Sequence, residues 1–246
     1  REERREERKE RINAMIRQEE EGVLVYNRQT VFGVQLKSNG YGAFLELGRM
    51  KDRYKSNIYQ IEIAEIKHPK ELKKVLTFGS GIFSSNPFIY GKENYFYTVR
   101  LGTGQSRRIG DKGNKNGVSI QAVYLGGLSL GLQRPYYVQV QDPVTQDIRE
   151  IKYGSGIASD SSLFEFGQIT GGTGLRRGWN EIKINPGAYG KLGLRFDYGR
   201  FNESVSAVEI GLSAEFFSKK IPMMVRNDQK QFFFNAYFAI EFGRRR

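Results

Sequence analysis

Residues 229 to 243 read QKQFFFNAYFAIEFG, and they separate by parity. Phe232, Phe234, Ala236, Phe238, Ile240 and Phe242 form one set; Phe233, Asn235, Tyr237, Ala239 and Glu241 form the other. Such a split has meaning only in an extended strand, where successive side chains point to opposite faces. The same alternation recurs along the chain. Phe32, Val34 and Leu36 alternate with Gly33, Gln35 and Lys37, and after the turn Ser38-Asn39-Gly40, Ala43, Leu45 and Leu47 alternate with Phe44, Glu46 and Gly48. Tyr59, Ile61 and Ile63 alternate with Gln60, Glu62 and Ala64; Tyr95, Tyr97, Val99 and Leu101 with Phe96, Thr98, Arg100 and Gly102. Residues 118–132, 188–198 and 205–217 repeat the pattern, so that eight strands are predicted.

The connections are unequal. SNG, residues 67–94, residues 133–187 and KKIPMMVRNDQ alternate along the chain with RMKDRYKS, residues 104–117 and GRFNE. Two are too long for ordinary links in a compact domain. With both chain ends in the periplasm, the long loops near 67–94 and 133–187 fall outside the cell, the asymmetry of outer-membrane barrels. The segment 104–117 is long for an inner turn.

Alternation alone does not say which face is inside, because a soluble ligand-binding barrel and a membrane barrel are inverses of each other. Glycine breaks the tie. Gly33, Gly42, Gly48, Gly102, Gly127, Gly131, Gly193 and Gly211 all share the charged face. On a solvated surface they weaken their strands, whereas in a narrow barrel they make room for bulky charged neighbours. The charged face is therefore read as the interior. Lys37, Arg100, Lys191 and Arg195 are expected to meet Glu46, Glu62, Asp197, Glu209, Glu215 and Glu241 in a salt-bridged plug. The Phe232, Phe234, Phe238, Ile240 and Phe242 face of the last strand then points into lipid, and Tyr59, Tyr95 and Tyr198 suit interfacial girdles.

Composition narrows the picture. The 246 residues include no Cys and one His, which excludes disulfides and thiolate sites and argues against a metal centre. No apolar run approaches the ~20 residues of a membrane helix, so any spanning structure is a barrel. The opening at Arg1, without an apolar leader, reads as a mature form. Residues 1–22, REERREERKERINAMIRQEEEG, pair opposite charges at helical spacing and are expected to form a charged periplasmic helix, with the barrel over 23–246.

The Phe-rich strand ending at Phe242 resembles the C-terminal signal read by outer-membrane barrel-assembly machinery, although Gly243 and Arg244 to Arg246 follow it. The region from Val31 to Phe242 resembles a small outer-membrane β-barrel of the OmpA/OmpX size class. IYQIEIAEIKHPKE, NPFIYGKENYFYTVR and VYLGGLSLGLQRPYYVQV are similar to poorly described envelope barrels. The resemblance implies an accessory subunit of an outer-membrane assembly or secretion complex, with no cofactor.

Some barrels of this size modify lipid A, and chemistry of that kind needs a nucleophile or base near the outer leaflet. His68, in IKHPKE, with Ser80, Ser84 and Ser85 downstream, is the one catalytic candidate. GTGQSRRIG and GGTGLRRG have the look of phosphate loops, yet neither is a complete P-loop in a βαβ context, and both read as connections. The net charge of +12 raises nucleic acid, but the aromatics lie opposite the charges, against single-strand binding. Basic residues concentrate between strands: Arg49, Lys51, Arg53 and Lys55; Arg107, Arg108 and Lys112; Arg176 and Arg177; Arg244 to Arg246. They suit lipopolysaccharide phosphates on the outer side, anionic partners on the inner side, or plain solvation.

The expectation is an eight-stranded antiparallel transmembrane up-and-down β-barrel with a charged N-terminal helix, a non-catalytic subunit of an envelope complex. The alternatives are a lipid A-modifying enzyme using His68 and a soluble ligand-binding barrel.

Overall fold

The structure, a computed structural model, describes residues 6, 26–52, 54–78, 83–111, 117–142, 146–154, 168–174, 177–199, 203–225 and 227–246. The helix expected over residues 1–22 falls, Glu6 aside, outside the described residues. Eight long strands make a closed barrel: β1 (Arg28–Lys37), β2 (Gly40–Asp52), β3 (Lys55–Ile66), β4 (Asn94–Gly110), β5 (Ser119–Pro135), β6 (Lys183–Asp197), β7 (Ser204–Ile221) and β8 (Lys230–Arg245). Each pairs antiparallel with its sequence neighbours, and β1 closes on β8 from Gln29↔Arg245 to Lys37↔Tyr237. Closure removes both sheet edges, so every strand has a partner on each side.

The parity of each strand decides its faces. Along β8, Phe233, Asn235, Tyr237, Ala239 and Glu241 are buried, while Phe232, Phe234, Phe238, Ile240 and Phe242 face outward. Outward apolar side chains on the neighbouring strands, among them Val34, Leu45, Ile61, Leu101, Leu128, Leu192 and Leu212, continue this into an apolar belt. The inverted faces of the soluble alternative are not found: the charges are inside and the apolar residues outside.

Glycines permit the crowded interior. A Cβ placed on Gly131 of β5 comes within 2.8 Å of the Phe96 ring and 2.9 Å of the Phe217 ring. Gly131→Leu therefore overpacks a site already filled by two aromatics, at an expected cost of about 1–3 kcal/mol. The check is the urea midpoint of the refolded variant in detergent, which should fall below that of the parent.

Three sequence expectations change. Residues 104–117 are not one long turn: β4 runs on to Gly110 and pairs with β5 as far as Gly110↔Ile120, so only residues 111–118 connect them. GTGQSRRIG is thus strand and cannot form a phosphate loop. RMKDRYKS likewise contracts, since Asp52 pairs with Lys55. The basic residues Arg49, Lys51, Lys55, Arg107, Arg108, Arg244 and Arg245 consequently lie on strand ends. Polar and glycine-rich composition suggested loops there, but the ladder hydrogen bonds of adjacent strands extend past the apolar belt.

The connections 38–39, 67–93, 136–182 and 222–229 share one end of the barrel; both ends of the barrel chain and the connections 53–54, 111–118 and 198–203 share the other. Within residues 133–187, β5 first continues to Pro135, and a three-stranded sheet follows: Tyr137–Gln141 between Ile148–Lys152 and Gln168–Gly172. Its Val138, Val140, Ile151 and Ile169 join Phe88 and Ile89 of the preceding loop and the barrel's Phe96, Phe217 and Phe233 in one buried cluster. That cluster seals the long-loop mouth with apolar side chains. Phe96 packs edge-on to Phe217 at 5.2 Å between ring centroids, a geometry in which ring edge and face attract.

Candidate functional site: the charged interior

Below the apolar seal the interior holds the charged residues singled out by parity, and the structure sorts them into groups. In the first, Lys37 Nζ of β1 donates to Glu62 Oε1 of β3 at 2.8 Å. Arg100 of β4 reaches the same Glu62 oxygen and forks onto Glu215 of β7, with Nε 2.8 Å from Oε2. In the second, Arg195 of β6 is bidentate to Glu46 of β2 at 2.7 and 2.6 Å. Its guanidinium also lies 2.9 Å from Glu209 of β7 and 2.7 Å from Glu241 of β8. Lys191 Nζ is 2.9 Å from Glu209 Oε1, and the Tyr237 hydroxyl donates to that oxygen at 2.8 Å.

Arginine suits these junctions because one planar fork serves several carboxylates from different strands. Arg195 thereby ties β6 to β2 across the lumen, and Arg100 ties β4 to β7. All of these side chains are buried. Lys191 also lies over the rings of Phe44, at 4.7 Å, and Tyr237, at 4.4 Å. These aromatics fill interior space that charges leave, and both lie at the parity positions of the charged face.

Asp197 does not join either group. It pairs with Arg245 of β8, whose Nε also donates to Gln29 Oε1 at 3.2 Å. Arg245 belonged to the tail in the sequence reading; here β8 runs through it and its side chain is buried. The signal was present, since Arg245 continues the odd parity of Glu241 beyond Gly243, but a run of three arginines hid it.

His68 lies outside the barrel, just beyond β3. Its Nδ1 accepts the Lys70 amide N–H at 3.2 Å, and its own amide donates to Glu71 Oε1 at 3.0 Å. Partial burial lowers its pKa, opposed by Glu71 and reinforced by Lys230 and Lys70. Glu71 is in turn engaged by Lys92, whose own pKa is lowered by burial. Ser85 Oγ accepts the Leu76 amide, Ser80 lies outside the described residues, and the Ser84 side chain is likewise not described. His68 Nδ1, the Glu71 carboxylate and the Ser85 hydroxyl thus each hold a contact within this loop. Among the described residues no group of three or more His, Asp or Glu could hold a metal.

No family model matches the chain, and no curated protein does. Similar folds occur among solved structures. Ail, the attachment invasion locus protein of Yersinia pestis, is 10% identical, covering 90% of this chain and 100% of its own, with a TM-score of 0.44. Neisserial surface protein A is 9% identical, covering 89% and 96%, with a TM-score of 0.40. The N-terminal β-barrel domain of Pseudomonas aeruginosa OprF is 9% identical, covering 89% and 98%, with a TM-score of 0.36. No residue role passes from these proteins to this chain.

Proposed function

We propose that the chain is an outer-membrane β-barrel that serves as a structural, non-catalytic subunit of a larger envelope assembly for outer-membrane protein insertion or secretion. The observation that carries this reading is the inversion of the barrel: a charge-compensated, side-chain-filled interior inside an apolar exterior. A water-soluble protein leaves large apolar belts uncovered only at a cost in solubility, whereas lipid favours them. A plugged interior supports a scaffold in preference to a channel. The sheet of Tyr137–Gln141, Ile148–Lys152 and Gln168–Gly172, packed onto the mouth, supplies a platform from which loops engage partners. Lipopolysaccharide is the natural outer-leaflet contact for the exposed lysines Lys219, Lys220 and Lys230 at that end.

In this reading both termini are periplasmic, and residues 1–22 provide a charged docking helix. The test is purification of a tagged chain from detergent-extracted membranes, followed by mass spectrometry of components recovered in stoichiometric amount. A barrel-insertion or secretion component should co-purify. Recovery of the protein alone would overturn the subunit role, and recovery from the soluble fraction would overturn the membrane reading.

A further inference from the structure

At the end of the barrel that carries the termini, β1 and β2 set two arginines side by side. Arg28 and Arg49 are register partners on adjacent strands, and both point outward. Directly opposed like charges destabilise a sheet unless something neutralises them, since paired Cβ atoms are only ~5 Å apart. Neither arginine has an acidic partner among the described residues. Arg244, which pairs with Thr30 beside them, has its acid, Glu203, at the distance of 4.0 Å.

The two guanidiniums border a shallow outer groove of about 390 Å³, whose other walls include Thr30, Leu47, Gly48 and Tyr59. The groove changes character along its length. Arg28 and Arg49 stand at the rim, the Thr30 side chain follows, and Leu47 and Tyr59, themselves register partners, lead into the apolar belt.

We infer that this groove binds the phosphate headgroup of an anionic phospholipid in the leaflet on the side of the termini. The inference rests on the membrane-barrel reading above. Two guanidinium forks without an acidic partner among the described residues match a phosphodiester bidentately, and Thr30 offers a hydroxyl donor. The apolar side of the groove is what selects a lipid over a soluble anion: an acyl chain leaving the headgroup runs over Leu47 and Tyr59 without leaving the protein surface. Lys51, Lys55 and Arg107 continue the positive rim over β2, β3 and β4 and raise the local concentration of anionic lipid.

The test uses the full chain, refolded in zwitterionic detergent and titrated by native mass spectrometry with phosphatidylglycerol and with phosphatidylcholine of the same acyl chains. Phosphatidylglycerol adducts should exceed phosphatidylcholine adducts by at least about tenfold, since each of the two cations contributes on the order of fivefold. Arg28→Gln/Arg49→Gln should abolish the preference. Arg49→Gln alone should reduce it, which keeps the test open if the double variant fails to fold. Lys219→Gln/Lys220→Gln, at the opposite end, should leave it intact.

Equal adducts of the two lipids in the parent, or an undiminished preference in the arginine variants, would overturn the inference. So would displacement of the lipid by millimolar inorganic phosphate, which would make the groove a free-anion site. Protease protection after reconstitution into vesicles separates this from the reading beneath it. A chain that fails to insert sinks the membrane barrel, whereas an inserted barrel without lipid preference sinks only the groove.

Discussion

Arg195→Met should be the most damaging single substitution in the barrel. The parent guanidinium is bidentate to Glu46 at 2.7 and 2.6 Å and lies within 2.9 Å of Glu209 and 2.7 Å of Glu241. Removing it leaves three carboxylates in a sealed interior with Lys191 as the nearest remaining cation, 2.9 Å from Glu209. Breaking one buried pair costs about 3–5 kcal/mol, because the surviving charge keeps its desolvation penalty and loses its partner. Against a total stability of about 5–15 kcal/mol, a loss at the upper end or beyond prevents folding. The measurement is the folded fraction, read from heat-modifiable gel mobility, across a urea titration in detergent. Arg195→Met/Glu46→Gln/Glu241→Gln should recover part of the loss by removing charge that has become uncompensated. Parent-like stability of Arg195→Met would show that the plug does not hold the barrel together.

Leu192→Arg should block insertion while scarcely affecting folding in a medium that lets the arginine reach water. Leu192 points outward from the middle of β6, opposite Tyr124 of β5 and Leu212 of β7, and is 65% exposed on the isolated chain. On a water-facing surface such a site tolerates a cation almost freely. At the centre of a bilayer the same cation costs about 2–4 kcal/mol. Folding yield in vesicles, compared with Leu192→Ala, therefore reads the environment of the outer face directly. Equal yields for the two variants would place that face in water and remove the ground for the membrane reading. Because the Leu192 side chain points away from the lumen, this result reads the outer face and the Arg195 experiment reads the interior.

The extent to which the fold was legible follows from which quantities are local. Strand identity and face were visible because side-chain direction alternates with a period of two, which needs no knowledge of partners. The glycine argument worked for a similar reason. Gly33, Gly131 and Gly193 occupy positions where an added Cβ would meet an interior side chain, Phe44, Phe96 or Tyr237, and the pattern of small residues records that crowding. Strand ends were less legible. Residues 104–110 and Arg244–Arg245 look like connections by composition, and only the ladder to β5, β1 and β7 makes them strand.

What the amino-acid sequence determined by itself is thus the eight alternating segments, the inward placement of Lys37, Arg100, Lys191, Arg195 and their acidic counterparts, and the absence of a thiolate site. Tertiary structure decided which charges meet: Glu62 and Glu215 with Arg100, Glu46, Glu209 and Glu241 with Arg195, and Asp197 with Arg245. It also decided that Tyr137–Gln141, Ile148–Lys152 and Gln168–Gly172 form a sheet sealing the mouth, and that Arg28 and Arg49 stand side by side above an apolar groove. Parity assigns a side chain to a face from its neighbours along one strand. Partners across a lumen or a strand pair depend on register, closure and strand tilt, and those are properties of all eight strands together.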